Sequence, residues 1–410
     1  MKTKFVIASA AVALLSTGAL AQETVRFSTI FDATAVGRWT PVIAEFERQN
    51  PDINIELETT AGSGAAVYPD VLRTSMASGD PPDVFFMWGG SIAQPFIDAG
   101  QVRELSAEYE EYGWGERFPQ WIKDRLSTDG QIYGVPYHAR GMGIWYRKDI
   151  YAQYGLSEPT TYEELEANCA TLAENGKYCA SFGGKFGWHT MRLVDYFLED
   201  TCGPEKHDAI NARQESWDQE CVVAAFDRLK KWVDNRWLVP DFLAVAPNDA
   251  RMPMYMGDAA MVYEGPWFEG VLAADQQDSS NFDFFLPPTA SGRYHAFPEQ
   301  WMISANAKNP TGAAKFIDWI TAAENQGPFP DAFAGSATIG VSPDCAVAPH
   351  GCKWVEILNS DAGTYPPTDQ AFAKELIDGF FEAQDAVVAG RMTGAEAAAL
   401  IQQRVEQYQS

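Results

Sequence analysis

Six cysteines are the residues whose spacing points most directly to chemistry. They fall in three local couples: Cys169 with Cys179, Cys202 with Cys221, and Cys345 with Cys352. In an oxidising compartment such couples form disulfides, each closing a short loop and stabilising the fold by about 2–3 kcal/mol. A zinc site at Cys345, His350 and Cys352 is the alternative, but no fourth ligand lies nearby in the sequence. The spacing therefore predicts three disulfides and no metal site.

Tryptophan is the second chemically informative residue type, with 13 copies in the chain. Trp267 follows a predicted strand and the turn Gly265-Pro266. Its flat ring would therefore lie at the carboxyl end of that strand, where open α/β sheets bind ligands. Trp88 also ends a predicted strand, and the two glycines after it let a ligand approach the backbone. A core position is the alternative for each ring, and Trp232 and Trp319, on predicted helices, are assigned to the core.

The local signatures of common enzymes are missing from the sequence. It contains no Gly-x-Ser-x-Gly elbow, no His-Glu-x-x-His, no Walker A loop and no Gly-x-Gly-x-x-Gly turn. The five histidines are scattered. Because the chain has 56 carboxylates, a pair at the separation used by glycoside hydrolases is kept as the alternative of a secreted enzyme. We expect a protein that is not an enzyme and needs no cofactor.

The amino terminus has the features of a secretory signal. Lys2 and Lys4 precede an apolar run from Phe5 to Leu15, and Ala19-Leu20-Ala21 is a small-x-small cleavage site. The apolar run is shorter than the roughly 20 residues of a membrane-spanning helix. Residues 1–21 are therefore predicted to be removed, which leaves a soluble, exported protein.

Charge and composition limit the partners of this protein. The 410 residues are 46% hydrophobic and 21% charged, which suits a globular protein of two or three domains. An excess of acidic residues gives a formal net charge of -26. That acidity argues against nucleic acid, which requires a basic surface, and against docking on anionic lipid.

Alternating strands and helices must position the candidate residues. Strands are predicted at residues 24–30, 53–57, 83–88 and 259–263, with strand-like segments across 131–146. The first helix is expected to begin with Thr40 as its N-cap and Pro41 in its first turn. Capping boxes at Thr161–Glu164 and Thr393–Glu396 predict two more helix starts. This order of elements predicts an open α/β sheet.

Six segments in order resemble the extracellular solute-binding protein family 1, which includes the maltose-binding proteins. Together they cover nearly the whole mature chain. The segments are Phe46-Glu47 with Asn50-Pro-Asp-Ile-Asn-Ile-Glu56, Ser78-Gly-Asp-Pro-Pro-Asp-Val84, Asp129-Gly-Gln-Ile-Tyr-Gly-Val-Pro-Tyr137 with Ile144-Trp-Tyr-Arg-Lys-Asp149, Gly155-Leu156 with Pro159-Thr-Thr-Tyr-Glu-Glu-Leu165, Met256-Gly-Asp-Ala-Ala-Met261 through Gly265-Pro-Trp267, and Ile303-Ser304 with residues 309–316.

The resemblance implies the type II periplasmic binding protein fold: two α/β lobes joined by a multi-strand hinge, with the ligand enclosed between them. The expected crossings between lobes lie near residues 138–142, 296–302 and 338–342. The expected lobes are residues 22–138 with 298–340 at the amino-terminal side, and residues 139–297 with 341–410 at the carboxyl-terminal side.

The resemblance also implies which side chains contact the ligand. The family has a stacking tryptophan at the position of Trp267, and sugars present apolar C–H faces to such rings. Where some relatives carry an acidic residue, this chain has Arg140, which is suited to bidentate hydrogen bonding. A core, capping or hinge role is the alternative for the remaining candidates. They are Asp32, Trp88, Tyr137, His138, Trp188, His189, Glu299, Gln300 and Trp301.

The function implied by the resemblance is that of a periplasmic carbohydrate-binding protein. It would be a monomer that captures a di- or oligosaccharide and delivers it to the permease subunits of an ABC importer in the inner membrane. The many tryptophans favour more than one stacked sugar ring. A polyamine or metal ligand in the same fold is the second alternative, because the acidity of the chain suits a cation.

Overall fold

A computed structural model of the protein describes residues 22–60, 67–358, 360 and 362–409. The predicted signal at residues 1–21 lies outside these described residues. No helix within the described ranges is both long and apolar enough to span a bilayer.

The strands confirm the alternating pattern read from the sequence, with small differences at their ends. The runs predicted at 24–30, 53–57, 83–88 and 259–263 form β1, β2, β3 and β9. The strands are β1 Glu23–Thr29, β2 Ile53–Thr59, β3 Val84–Trp88, β4 Ser127–Thr128, β5 Gln131–Ile132, β6 Val135–Gly141, β7 Gly143–Arg147, β8 Tyr178–Ser181, β9 Ala259–Glu264, β10 Phe282–Phe285, β11 Tyr294–Ile303 and β12 Thr364–Tyr365.

The helices surround the sheets and follow the strands along the chain. They are α1 Ala33–Gln49, α2 Tyr68–Ala77, α3 Gln94–Asp98, α4 Ser106–Tyr112, α5 Gln120–Leu126, α6 Lys148–Tyr154, α7 Tyr162–Glu174, α8 Trp188–Cys202, α9 Pro204–Asn211, α10 Glu220–Asp234, α11 Met252–Tyr255, α12 Phe268–Ala274, α13 Pro310–Thr321, α14 Ala323–Gln326, α15 Pro349–Leu358, α16 Thr368–Ala371, α17 Lys374–Val388 and α18 Gly394–Gln409.

In the part of the chain that the structure describes, the strands make two large sheets and the small pair β4–β5. The first sheet has the order β12-β11-β3-β1-β2, and β6 also pairs with β11. Its centre is parallel, since β1 runs parallel to both β2 and β3. The second sheet has the order β10-β7-β9-β8. The first sheet packs in one apolar core, and the second sheet lies between a large core and a small one, so the described residues fold around separate centres.

Two long strands connect the core of the first sheet to the larger core of the second sheet. On β6, Ala139 packs in the core of the first sheet, whereas Met142, just beyond the strand, packs in the core of the second. On β11, Ala296 belongs to the second core and Trp301 to the first. β6 and β11 pair antiparallel along this passage. A pair of hydrogen-bonded strands therefore crosses between the cores, as a multi-strand hinge requires.

The start of α1 differs from the prediction. Asp32, and not Thr40, is the N-cap, and its carboxylate accepts a hydrogen bond from the Ala35 N–H at 2.8 Å. Thr40 lies inside the helix, where its hydroxyl donates to the Val36 carbonyl at 2.8 Å. The prediction was wrong because Asp is at least as good an N-cap as Thr, and the cap position depends on where β1 ends.

The three disulfides have the predicted pairing. Cys169 is joined to Cys179, Cys202 to Cys221 and Cys345 to Cys352. His350, the third residue of the zinc alternative, instead contacts the Glu269 carboxylate and the Phe282 carbonyl. The zinc alternative is therefore wrong, because its two thiols are consumed by a disulfide.

Candidate functional site

We call the region where α1, at the edge of the first sheet, meets α12, at the edge of the second, the crevice. β1 and β3 are parallel neighbours, so their carboxyl ends share one edge of the first sheet. β1 leads into α1, and β9 of the second sheet leads through Gly265 into α12. The Arg38 guanidinium of α1 lies beside Gly270 of α12, with Nη1 3.0 Å from the position that a Cβ on this glycine would take. The two edges therefore face each other.

Trp267 lies on the second-sheet side of this crevice and is only half-buried. Its indole N–H donates to Glu264 Oε2 at 2.5 Å, and its ring covers Gly265, where a Cβ would lie 2.1 Å from a ring carbon. Glu264 is itself buried and is held by Arg251 at 2.6 Å. The turn and the ion pair fix the plane of the indole, which packs in part against the apolar clusters of the second sheet and is in part exposed.

Trp88 lies at the carboxyl end of β3 and is also half-buried. Its ring packs edge-on against Phe86 at a centroid distance of 4.9 Å. The glycines that follow it allow a close backbone approach, since a Cβ on Gly90 would lie 2.4 Å from the Gln370 carbonyl oxygen. The close approach predicted at these glycines is thus made by the protein's own α16 segment. Trp88 stays a predicted ligand contact.

His138, Arg140 and Glu299 form a charged cluster where β6 and β11 cross. Glu299 Oε2 lies 2.8 Å from His138 Nδ1 and accepts from Arg140 Nε at 3.1 Å. Burial and the Arg140 charge lower the pKa of His138 to about 3. Burial alone would raise the pKa of Glu299, but Arg140 and His138 hold it below its usual value. The cluster is therefore a neutral imidazole between an ionised carboxylate and a guanidinium.

The hydrogen bonds of Arg140 are directed to the hinge. Besides Glu299, its guanidinium approaches the Ala334 carbonyl at 3.4 Å, and a Cβ on Gly335 would lie 2.8 Å from Nη1. Gly335 adopts a φ of +80°, a backbone conformation that favours glycine. Arg140 thus links both crossing strands to the segment around residue 335. These contacts match the hinge alternative weighed for this residue.

Tyr137 and Trp301 lie in the core of the first sheet. Trp301 is fully buried, and its ring packs on Tyr137 at a centroid distance of 4.2 Å. Trp39 contacts both rings. Gln300, next in the strand, is 1% exposed, and its amide N–H donates to the Trp88 carbonyl at 3.4 Å. The structure therefore gives Tyr137 and Trp301 the core role that was the alternative for each.

Trp188 and His189 begin α8, and they differ in burial. Trp188 is half-buried and stacks on the His189 ring at 5.0 Å. His189 is fully buried, where Nδ1 accepts from the Gly183 N–H at 3.0 Å and Nε2 lies 2.7 Å from the Tyr263 carbonyl. Burial lowers the pKa of His189 to about 4, so the ring is neutral and donates to Tyr263. It supports the end of β9 just before Glu264.

The profile of the bacterial extracellular solute-binding protein family matches residues 33–327, well over half of the chain. The chain belongs to this family.

Relatives of this solute-binding protein have a low sequence identity over long alignments. An uncharacterized ABC transporter extracellular-binding protein of Pyrococcus horikoshii is 26% identical over 81% of this chain and 71% of its own length. A multiple sugar-binding protein of Streptococcus mutans is 22% identical over 69% of this chain and 67% of its own length.

Solved structures share the fold of this solute-binding protein. One, from work on xylan utilization by Caldanaerobius polysaccharolyticus, has a TM-score of 0.84 at 21% identity, covering 93% of this chain and 100% of that chain. A chitin oligosaccharide binding protein has a TM-score of 0.82 at 21% identity, and the match covers 94% of this chain and 98% of that chain. The predicted two-lobed type II fold is confirmed.

Two residues at the crevice of this solute-binding protein were missed by sequence reasoning. Glu264 orients Trp267, and Arg38 extends from α1 towards α12. Glu264 could have been found as an acidic residue at the end of an otherwise apolar strand, since a buried carboxylate needs a partner. Arg38 gives no such signal, because it lies on a helix with other charged residues and its position depends on how the lobes meet.

Proposed function

We propose that this protein captures a carbohydrate in the crevice between two lobes and delivers it to the permease subunits of an ABC importer. The observation that carries the proposal is Trp267, a half-buried ring at the carboxyl end of β9 whose plane is fixed by Glu264. A rigid aromatic face binds the apolar face of a sugar ring, while hydroxyls of the sugar accept and donate hydrogen bonds.

The similar proteins support a sugar as the solute. The Streptococcus mutans relative is a multiple sugar-binding protein, and structures with the same fold include a chitin oligosaccharide binding protein and a maltose-bound protein of T. maritima. A polyamine fits this crevice poorly, since Arg38 brings a positive charge to it. Export through the signal at residues 1–21, a periplasmic location and a monomeric state belong to the proposal.

The lobe boundaries also belong to the proposal. We assign residues 22–138 and 298–340 to the amino-terminal lobe and residues 139–297 and 341–410 to the carboxyl-terminal lobe. The passage of β6 and β11 between two cores supports the first two crossings. Closure of the lobes about these strands would bring Trp267 and Trp88 towards one ligand.

Trp267→Ala tests whether the indole ring of Trp267 stacks on the sugar. Loss of the ring face should weaken binding of the preferred saccharide at least about 100-fold, because a buried aromatic contact contributes on the order of 3 kcal/mol. Titration calorimetry with maltose, raffinose, and xylan- and chitin-derived oligosaccharides measures this. Tyr408→Ala removes an exposed ring from α18 and serves as the control. Equal affinities of the wild type and Trp267→Ala would contradict a stacking role for Trp267.

A further inference from the structure

Arg38 differs from the other arginines that the structure describes. Every other half-buried or buried arginine in those residues donates to a carboxylate or a backbone carbonyl, as Arg125 does to the Ala296 carbonyl and Arg251 to Glu264. Arg38 is half-buried too, yet it makes no hydrogen bond or ion pair with the described residues. The exposed Arg391 has water available, whereas Arg38 lies against another helix.

The carboxylates of Glu264, at the end of β9, and of Glu269, on α12, already have partners. Glu269, next to Gly270, accepts from the His350 and Gly351 N–H groups at 3.1 and 2.8 Å. Glu264 accepts from Arg251 and from Trp267. Neither carboxylate is directed to Arg38. The guanidinium therefore lies against α12, one turn beyond Trp267, and no carboxylate among the described residues is paired with it.

Closure of the lobes would bury the Arg38 guanidinium further, which is unfavourable unless an anion pairs with it. A cation removed from water needs an opposite charge or good hydrogen bonds to offset its desolvation. The planar guanidinium matches a carboxylate or a phosphate with two parallel hydrogen bonds. The net charge of -26 repels anions from the protein as a whole. An anion that binds at the crevice must therefore be attracted by Arg38 itself.

We propose that the ligand is an anionic saccharide whose charged group pairs with Arg38 while a sugar ring stacks on Trp267. This inference rests on the proposed carbohydrate-binding function and names the substrate class of that same crevice. The shared chemistry is a planar or tetrahedral oxyanion on a sugar, either the carboxylate of a uronic acid or a phosphate ester.

Matched pairs of probes separate charge from shape. Disaccharides of galacturonate, glucuronate and mannuronate are compared with their methyl esters, which have the same stereochemistry but no charge. Hexose 1-phosphates are compared with the free hexoses. Titration calorimetry of the wild type should give at least about tenfold tighter binding of one acid than of its ester, as expected when a hydrogen bond to a charged group is gained. Whether a uronate or a phosphate shows this preference identifies the anion.

Arg38→Gln should reduce the affinity for the acid to that for the ester and leave the ester affinity unchanged. Arg38→Lys keeps the positive charge but loses the two parallel N–H donors of the guanidinium. It should retain only part of the preference for the acid over its ester. Arg391→Gln removes an exposed arginine from the turn after α17 and should behave as the wild type.

The outcomes distinguish this inference from the proposed function. Binding of neutral saccharides as tightly as acidic ones, with sensitivity to Trp267→Ala, would overturn the anionic class and leave the carbohydrate function standing. An acid preference that survives in Arg38→Gln would also overturn it. If no saccharide of either kind binds the wild type, the proposed function fails and this inference fails with it.

Discussion

At the scale of the residue, Gln300 connects the hinge to the crevice through a space that exists only because residue 134 is glycine. The Gln300 amide donates to the Trp88 carbonyl, and its Oε1 is buried without a partner among the described residues. A Cβ on Gly134 would lie 1.7 Å from that Oε1. Because the Gln300 side chain is closely packed, a larger residue at position 134 would displace it and disturb its hydrogen bond to Trp88.

Gly134→Ala should therefore lower the free energy of unfolding by about 1–3 kcal/mol, the usual effect of overpacking a core. Urea denaturation followed by Trp fluorescence measures it. Gly115→Ala is the control, since nothing lies within 4 Å of the added methyl group. Adding Gln300→Ala to Gly134→Ala should recover part of the loss, because the two changes act on the same space. Equal stability of the two glycine variants would refute this packing.

At the scale of the element, local features could be predicted and long-range contacts could not. The capping box at Thr393 and Glu396 is confirmed by hydrogen bonds of 2.8 and 3.2 Å. Such features depend on residues a few positions apart. Tyr137 and Trp301 were expected near the ligand, but both rings pack on Trp39 of α1 in the core of the first sheet. Alternation along one strand cannot reveal a contact with a helix distant in the sequence.

A second long-range contact connects α8, α9 and the start of β11 through Glu199. This carboxylate is 1% exposed and accepts from Arg293 Nε at 2.9 Å and from the Ser291 hydroxyl at 2.6 Å, with His207 Nδ1 at 2.8 Å. Burial alone would raise its pKa, but hydrogen bonds from His207, Arg293 and Ser291 lower it to about 2. The ionised form is thus stabilised in the folded state.

Acid should therefore destabilise the protein partly through Glu199. Its stabilising contribution is complete above the pKa of an unfolded glutamate, about 4.3, and is lost as the pH falls towards about 2. Urea midpoints measured between pH 7 and pH 2 should fall more steeply for the wild type than for Glu199→Gln, which is also less stable at pH 7. Glu205→Gln, an exposed carboxylate on α9, should follow the wild-type curve. Parallel curves for the wild type and Glu199→Gln would refute this role.

At the scale of the whole molecule, the resemblance carried by six short segments predicted the two-lobed fold, and the family match confirms it. The contacts between the two lobes could not be predicted from the sequence. His138 and Glu299 are 161 positions apart, and Arg38 meets Gly270 only when the two sheets are placed edge to edge. A binding crevice assembled from both lobes depends on such pairs, so its charge could not be known before its geometry.

A thermal-shift titration of the wild-type protein tests the central claim of carbohydrate capture most directly. A ligand that binds only the folded state raises its stability by RT ln(1 + [L]/Kd), which is about 2.7 kcal/mol at 100 times Kd. We predict a concentration-dependent rise in Tm with at least one neutral or acidic saccharide, no rise with putrescine, and loss of the rise in Trp267→Ala. A rise with putrescine alone, or none with any saccharide, would contradict the claim.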